Sequence, residues 1–193
     1  MRSPILVCDV DGVVVDLSYS WYEWLQAQTW RGHVPPTYDE VKKHYNYSIP
    51  FSNLVDEKVA MHFWKQESLY DDATPMEGVV EGIQAFKERG WEIVFASHVE
   101  GAHALSKYRF LKKYFPVDGF MATREKHYIK SDIAIDDKID NLIYHEAGTM
   151  AVLQAAPYNE HINYESLRLQ KIQKLDKSTA ENMLTYWWKF YAR

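Results

Sequence analysis

The sequence alternates between short apolar runs and longer stretches in which apolar residues recur every three or four positions. The short runs are typical of buried strands and lie at residues 5–8, 91–97, 120–122, 133–135 and 150–153. The longer stretches predict helices at residues 79–89, 101–115 and 178–193. Strands that alternate with helices form a parallel sheet with right-handed crossovers. The pattern therefore predicts an α/β protein.

The segment between the first two predicted strands has a different pattern. It is rich in aromatic residues at helical spacing, and Thr37 with Glu40 forms a predicted capping box for one of its helices. A further helical stretch is predicted over residues 52–68, and no part of the segment is predicted as a strand. We therefore predict two domains, which are an α/β core of residues 1–16 and 74–193 and a small helical cap of residues 17–73.

Length and composition limit the classes of function. A chain of 193 residues can form one sizeable core with a modest insertion, and 47% hydrophobic with 25% charged residues is typical of a globular protein. The net charge of −5 disfavours binding to long nucleic acids but leaves room for a pocket that binds one phosphate. The single cysteine, Cys8, and the lack of a long apolar run or a signal peptide predict a cytoplasmic protein without membrane contact.

Polar residues occupy the carboxyl ends of the predicted strands, the edge at which open α/β sheets bind their ligands. They are Asp9, Asp11, Ser97, Lys126, Asp136 and Asp137. The carboxylates of Asp9 and Asp11, only one residue apart, repel each other unless a cation or a shared proton relieves them. This spacing indicates a Mg²⁺ site in which one carboxylate also acts as a nucleophile. An Asp-rich turn beside Gly12 is the alternative for these residues taken alone.

Four segments of the chain, in this order, resemble the four motifs of the haloacid dehalogenase superfamily of phosphotransferases. They are Asp9-x-Asp11-Gly12-Val13, the apolar run that ends in Ser97, a lysine after the third strand, and Ile135-Asp136-Asp137. Within the superfamily the chain is most similar to the 5′(3′)-deoxyribonucleotidases, including relatives carried by bacteriophages. The shared patterns are Asp9 to Asp16, Pro75-x-x-Gly78, Lys107-Tyr108 and Thr123-Arg124-x-Lys126. The resemblance implies a Rossmann-like core with a helical cap inserted after the first strand.

The resemblance also implies roles for the four aspartates. Asp9 would attack the substrate phosphorus and form an aspartyl-phosphate, while Asp11 would protonate the leaving oxygen and later take a proton from water. Mg²⁺ would be held by the Asp9 carboxylate, the Asp11 main-chain carbonyl and Asp136. Asp137 would either bind the metal directly or support it through water.

The phosphate of the substrate would be bound by a hydroxyl and a lysine. By the resemblance, Ser97 would donate a hydrogen bond to a phosphate oxygen, and Lys126 would neutralise both the phosphate and Asp9. Lys130 is the alternative lysine, but the Thr-Arg-x-Lys register selects Lys126. His98 and Arg124 are further candidates for substrate contact. The alternative for His98 is a local structural role, and the alternative for Arg124 is a surface ion pair.

An aromatic side chain of the cap would stack on the base of a nucleotide. Trp64 lies at the right distance from the Pro75-x-x-Gly78 pattern to resemble a tryptophan of the family cap. Leu17, however, stands where the family has an aromatic residue. Other aromatic residues that could stack instead are Trp21, Tyr45, Tyr47 and Phe51.

Three further features of the sequence are open to two interpretations each. Asp16 could fix the turn after Gly12 or cap the following helix, and Lys107 could lie near the phosphate or in solvent. The last helix, with its neighbouring Trp187 and Trp188, is predicted to pack on the core, and its tryptophans could also form a subunit contact in a homodimer.

The leading functional hypothesis is a Mg²⁺-dependent phosphatase that acts on deoxyribonucleoside monophosphates, with pyrimidine favoured over purine. One alternative is a phosphatase for another small phosphomonoester, which the aromatic cap disfavours because such substrates offer no flat ring to stack. Another is a non-catalytic protein that binds a nucleotide, and a third is a polynucleotide-end phosphatase, which the negative net charge disfavours.

Overall fold

A computed structural model describes residues 2–99, 103–162 and 169–192. Its centre is a six-stranded sheet in which every neighbouring pair of strands is parallel, in the order β3-β2-β1-β4-β5-β6. The strands are β1 (Ile5–Cys8), β2 (Glu92–Ser97), β3 (Gly119–Ala122), β4 (Ile133–Asp136), β5 (Met150–Gln154) and β6 (Leu169–Ile172). The α/β fold predicted from the alternation of strands and helices is therefore confirmed.

Strand β1 lies in the middle of the sheet and brings the site residues together. Leu6 pairs with Ile93 of β2 on one side and with Ile133 of β4 on the other. All three side chains are fully buried, as expected for a parallel sheet that is covered on both faces. Because these strands run in the same direction, the residues that follow or end them, Asp9 and Ser97 among them, lie at one edge of the sheet.

Strand β6 differs from the prediction, because the sequence pattern predicts no strand after the apolar run of β5. Its sequence Leu-Gln-Lys-Ile contains two polar residues, and as an edge strand it buries only Ile172. A strand of this kind lacks the apolar run by which the other strands were recognised.

Within the described ranges, the α/β part of the chain has four α-helices, besides two short 3₁₀ helices over Lys126–Tyr128 and Pro157–Asn159. The α-helices are α4 (Val79–Glu88), α5 (Ala104–Tyr114), α6 (Ile139–Leu142) and α7 (Lys177–Phe190). Helix α4 ends before Gly90, whose φ of +80° suits the glycine predicted just beyond the helix. The helix predicted over 101–115 begins at Ala104 in the described residues, and Gly101 lies outside them.

Helix α7 packs against α4, as predicted for the end of the chain. The helix predicted over 178–193 begins at Lys177, because Asp176 caps it by accepting a hydrogen bond of 2.8 Å from the Thr179 N–H. Trp187 is buried with its ring centroid 4.8 Å from that of Trp91, whereas Trp188 is exposed. The subunit contact suggested for these tryptophans stays a prediction.

The 17–73 segment contains short helices and no strand among its residues, all of which the structure describes. The helices are α1 (Ser18–Gln28), α2 (Tyr38–Val41), α3 (Glu57–Ala60) and a 3₁₀ helix over Met61–Lys65. The capping box of α2 is confirmed, since Glu40 accepts the N–H of Thr37 at 2.8 Å. The helix predicted over 52–68 is shorter in the structure. It begins only after Asp56, which caps α3, and it ends before Gln66, where the backbone is extended.

The 17–73 segment leaves and rejoins the rest of the chain at neighbouring points. Val15 forms an antiparallel bridge with Pro75, and the Met76 N–H donates to the Val14 carbonyl at 3.0 Å. Buried residues of the segment, such as Leu25, share one hydrophobic core with the sheet. The division of the chain into two domains stays a prediction. None of the helices in the described ranges combines the length and the apolarity that crossing a membrane requires.

Candidate active site

A cavity of about 690 Å³ lies between the carboxyl edge of the sheet and the 17–73 segment. Its lining from the α/β part includes Asp9, Asp11, Ser97, Lys126 and Asp137. Its lining from the 17–73 segment includes Leu17, Trp21, Tyr38, Tyr45, Tyr47 and Trp64. Acidic and basic groups therefore form one wall and mostly aromatic groups the other, within a volume suited to a small molecule.

Lys126 joins the ends of β1 and β4 electrostatically. Its Nζ lies 2.7 Å from Asp9 Oδ1 and 2.7 Å from Asp136 Oδ2, and all three side chains are buried. Burial opposes the charged form of the lysine, but the two carboxylates outweigh it and raise the pKa of Lys126. Lys130, the alternative in the sequence, is exposed and lies outside the cavity.

Three buried carboxylates form a cluster beside this lysine. One oxygen each of Asp9, Asp136 and Asp137 can be chosen so that all lie within 4.8 Å of one another. Burial and the neighbouring charge of Asp136 raise the pKa of Asp9 to about 7, against the opposing effect of Lys126. Burial, followed by the charges of Asp136 and Asp9, raises the pKa of Asp137 as well. A hard divalent cation would relieve this repulsion, and oxygen ligands of this type suit Mg²⁺.

The two neighbouring aspartates at the end of β4 have different surroundings. Asp136 accepts hydrogen bonds from Lys126, from the Lys138 N–H at 2.9 Å, and from Asn141 Nδ2 at 3.0 Å to each oxygen. These four contacts occupy the acceptor positions of one carboxylate. Within the described residues, the side-chain donor to Asp137 is the hydroxyl of Tyr158. Asp137 therefore keeps acceptor capacity that Asp136 has already used.

Gly12 lets the backbone approach the Asp137 carboxylate closely. Its φ of +77° is a conformation that residues with a side chain rarely adopt. A Cβ at this position would also collide with Oδ2 of Asp137. Both observations explain why glycine follows Asp11.

Asp11 is held by three side chains at the cavity wall. Its Oδ2 lies 2.6 Å from Lys107 Nζ and accepts a longer hydrogen bond of 3.3 Å from Ser97 Oγ, and its Oδ1 accepts a hydrogen bond of 2.6 Å from the hydroxyl of Tyr70. Lys107 also donates to Ser97 Oγ at 2.7 Å. Burial opposes ionisation of Asp11, but Lys107 and then Tyr70 outweigh it and lower its pKa.

Lys107 is fully buried, so the solvent-exposed alternative for this residue is wrong. A lysine on a helix is usually solvated, so its residue type alone does not predict that Lys107 is buried. The signal was its spacing, because Lys107 falls on the same stripe of α5 as the buried Phe110 and Leu111. A charged residue within an apolar stripe indicates a buried partner of opposite charge.

The other predicted substrate-binding residues line the same cavity. Ser97 is almost fully buried, while Arg124 and His98 lie at the rim, with the Arg124 Nε donating to His98 Nδ1 at 3.1 Å. Trp64 meets Trp21 edge-on, with 5.2 Å between ring centroids. Among the alternative stacking residues, Phe51 is fully buried and does not line the cavity, because it packs in the core.

Asp16 is placed at the start of α1, where its carboxylate accepts the N–H of Ser18 at 2.8 Å. Leu17 is the N-cap of this helix and no side chain caps it, so the contact of Asp16 fixes the turn before the helix instead. Two functional candidates were missed altogether, Tyr70 and Tyr158. The only sequence signal for Tyr158 was its position a few residues past β5, and Tyr70 lies in a turn region without any recognised pattern.

We expect the stability of the metal-free protein to depend on pH through the carboxylate cluster. The folded pKa of Asp9 lies near 7, above its ordinary value of 3.8. The stabilisation that this shift provides is complete below about pH 4 and is lost as the pH rises through about 7. The unfolding free energy in chelator should therefore fall over this range relative to Asp9→Asn.

Addition of Mg²⁺ near pH 7.5 should reverse this loss. At 100 times its dissociation constant, the ion should stabilise the fold by about 2.7 kcal/mol, which is a rise in Tm of roughly 5–10 °C. Thermal unfolding with chelator or with MgCl₂ measures the effect, and NaCl of equal ionic strength is the control. An unchanged Tm with Mg²⁺ would argue against a metal site at this cluster.

Comparison with known proteins supports the fold described above. A family model described as 5′ nucleotidase, deoxy (pyrimidine), cytosolic type C protein matches residues 3–179. None of the curated proteins matches the sequence. The solved structure of a haloacid dehalogenase-like family hydrolase from Xanthomonas campestris is similar at 12% identity and a TM-score of 0.59, with 98% of each chain covered. A hydrolase of the same superfamily from Ehrlichia chaffeensis has 15% identity and a TM-score of 0.55, with 96% of this chain and 98% of that chain covered.

Proposed function

Because the chain belongs to the cytosolic type C family of deoxy (pyrimidine) 5′ nucleotidases, we propose that it removes the phosphate of deoxyribonucleoside monophosphates in a Mg²⁺-dependent reaction. Membership of this family makes the chain a phosphoric monoester hydrolase and confirms the predicted resemblance to the deoxyribonucleotidases. The observation that carries the finer proposal is the convergence of Asp9, Lys126 and Asp137 at one wall of the cavity, with Asp136 behind them in contact with Lys126.

The proposed reaction has two steps, with Asp9 as the nucleophile. An Asp9 carboxylate oxygen attacks phosphorus and the bond from phosphorus to the ribose oxygen breaks. Asp11, which takes up a proton once the substrate phosphate draws Lys107 away from it, gives that proton to the ribose oxygen. Water then attacks the aspartyl-phosphate, the bond from phosphorus to Asp9 breaks, and Asp11 takes a proton from the water. The Lys126 ammonium group, 2.7 Å from Asp9, supports the first role, since its charge favours the ionised nucleophile against the opposing effect of burial.

The metal site of the proposal uses carboxylates of both motif segments. Asp9 and Asp137 would hold Mg²⁺ together with the Asp11 main-chain carbonyl, because Asp136 already accepts four hydrogen bonds. This choice differs from the sequence prediction, which placed Asp136 first and left Asp137 open. When bound, Mg²⁺ would neutralise charge that develops on the phosphoryl oxygens. Asp136 instead orients Lys126 toward Asp9.

The phosphate and the nucleoside would contact opposite walls of the cavity. Ser97, Lys107 and Lys126 lie where a phosphate beside Asp9 would find donors and positive charge. The aromatic wall around Trp64 and Trp21 would contact the base, and stacking contributes about 1–3 kcal/mol per base. In this proposal the 17–73 segment acts as the cap, and the enzyme works in the cytoplasm.

Phosphate release from a panel of substrates tests the proposal. The panel comprises pyrimidine and purine deoxynucleotides, the matching ribonucleotides, and small sugar phosphates. We expect the highest kcat/KM for pyrimidine deoxynucleotides, by about tenfold or more over the sugar phosphates, and loss of activity in chelator that Mg²⁺ restores. Equal kcat/KM across the panel would contradict the substrate class. A protein that binds nucleotides without releasing phosphate would be the non-catalytic alternative.

A further inference from the structure

Tyr70 is a buried tyrosine whose hydroxyl reaches the carboxylate of Asp11. The side chain is fully buried, and its hydroxyl donates to Asp11 Oδ1 at 2.6 Å. Its ring lies 5.6 Å from the ring of His103 and 6.3 Å from that of Phe110, between centroids, and Lys107 Nζ lies 4.8 Å from its centre. The ring is therefore fixed on several sides, and the hydroxyl has a defined direction.

The three donors to Asp11 differ in what else they can bind. Ser97 and Lys107 line the cavity and are the groups that a bound phosphate would engage. Tyr70 is not part of the cavity lining, so it does not compete for the substrate. When the phosphate draws Ser97 and Lys107 toward itself, Tyr70 remains on the opposite oxygen of the carboxylate.

We propose that Tyr70 is a positioning residue that holds the Asp11 carboxylate in the orientation needed to protonate the leaving oxygen. The inference rests on the proposed function, in which Asp11 gives its proton to the ribose oxygen as the phosphorus–oxygen bond breaks. Proton transfer by a positioned side chain contributes roughly 10²–10⁴-fold to a rate, and it depends on hydrogen-bond distance. The backbone beside Tyr70 is also held in place, because the neighbouring Asp71 forms an ion pair of 2.7 Å with Arg109 of α5.

The test compares substrates that differ in their need for an acid. The leaving oxygen of a deoxynucleotide or of deoxyribose 5-phosphate needs a proton, whereas p-nitrophenolate leaves without one. In Tyr70→Phe, kcat/KM should fall at least about tenfold for the first two substrates and by less than about threefold for p-nitrophenyl phosphate. The ratio kcat/KM is used because it reports the steps through formation of the aspartyl-phosphate.

Tyr114→Phe is the matched control, because Tyr114 also packs on Phe110 but lies away from Asp11. Its kcat/KM should stay within twofold of the unmodified enzyme on every substrate. An equal loss on all substrates in Tyr70→Phe, no loss, or a failure of this variant to fold would overturn the inference. Hydrolysis of deoxyribose 5-phosphate but not of nucleotides would overturn only the proposed substrate, and the Tyr70 comparison would then be made with the sugar phosphate. A complete lack of phosphatase activity in the unmodified enzyme would overturn the proposed function and this inference together.

Discussion

Substitution of Asp9 by asparagine is expected to lower kcat on a deoxynucleoside monophosphate by at least about 10⁴-fold. The amide nitrogen and oxygen of asparagine cannot form the acyl phosphate that the proposed reaction requires. The fold should remain intact, because the side chain keeps its shape and the Val10 N–H can still donate to its oxygen, as it now does at 2.7 Å. Phosphate release at high enzyme concentration measures the residual rate.

Two comparisons make the Asp9 result specific. Asp140→Asn is the same chemical change at an exposed position on α6 and should leave kcat unchanged. In chelator above pH 7, Asp9→Asn should be more stable than the unmodified protein, since it removes one negative charge from the buried cluster. Retention of a substantial fraction of kcat in Asp9→Asn would show that another group is the nucleophile.

Substitution of Lys126 by methionine is expected to affect both activity and stability. It leaves the buried carboxylates of Asp9 and Asp136 without their cation, which should cost about 3–5 kcal/mol of unfolding free energy. The loss of charge beside the transferred phosphate should lower kcat/KM by at least about 10³-fold. Denaturant unfolding and phosphate release measure the two effects on the same preparation.

Lys130→Met tests which of the two candidate lysines, Lys126 or Lys130, belongs to the third motif. Lys130 is exposed and does not line the cavity, so its loss should change the unfolding free energy by no more than about 0.5 kcal/mol. Its kcat/KM should equal that of the unmodified enzyme. If Lys130→Met were the inactive variant and Lys126→Met the active one, the assignment of the third motif would be wrong.

The positions at the ends of the strands could be predicted because two independent patterns agree there. An apolar run sets the direction of a strand, and the polar residue at its end is therefore placed at the sheet edge without knowledge of any contact. Asp9, Ser97 and Asp136 were found in this way, and the structure places them at one edge. The same logic could not find β6, whose Gln170 and Lys171 are acceptable only because an edge strand is partly exposed.

The residues that hold the site in place were harder to predict, because their role depends on distances between remote segments. Lys107 and Asp11 are 96 residues apart in sequence, and Tyr70 approaches Asp11 from a turn region of the 17–73 segment. Which of Asp136 and Asp137 keeps free acceptor positions could not be predicted either, because it depends on the hydrogen bonds from Asn141 to Asp136 and from Tyr158 to Asp137. Spacing along the chain sets which side chains share an element, but not which oxygen of a carboxylate a donor selects.

The bridge between Val15 and Pro75 has a consequence for how this chain can change. The two points at which the inserted helices are attached lie side by side, so a replacement loop has almost no gap to span. The entropic cost of closing such a loop grows only slowly with its length, by about 0.6 kcal/mol per doubling. Changes of length in the exposed loops between these two residues should therefore leave the hydrogen-bonded strands undisturbed, as long as Tyr70 and the buried residues that the segment shares with the core, such as Leu25, are kept.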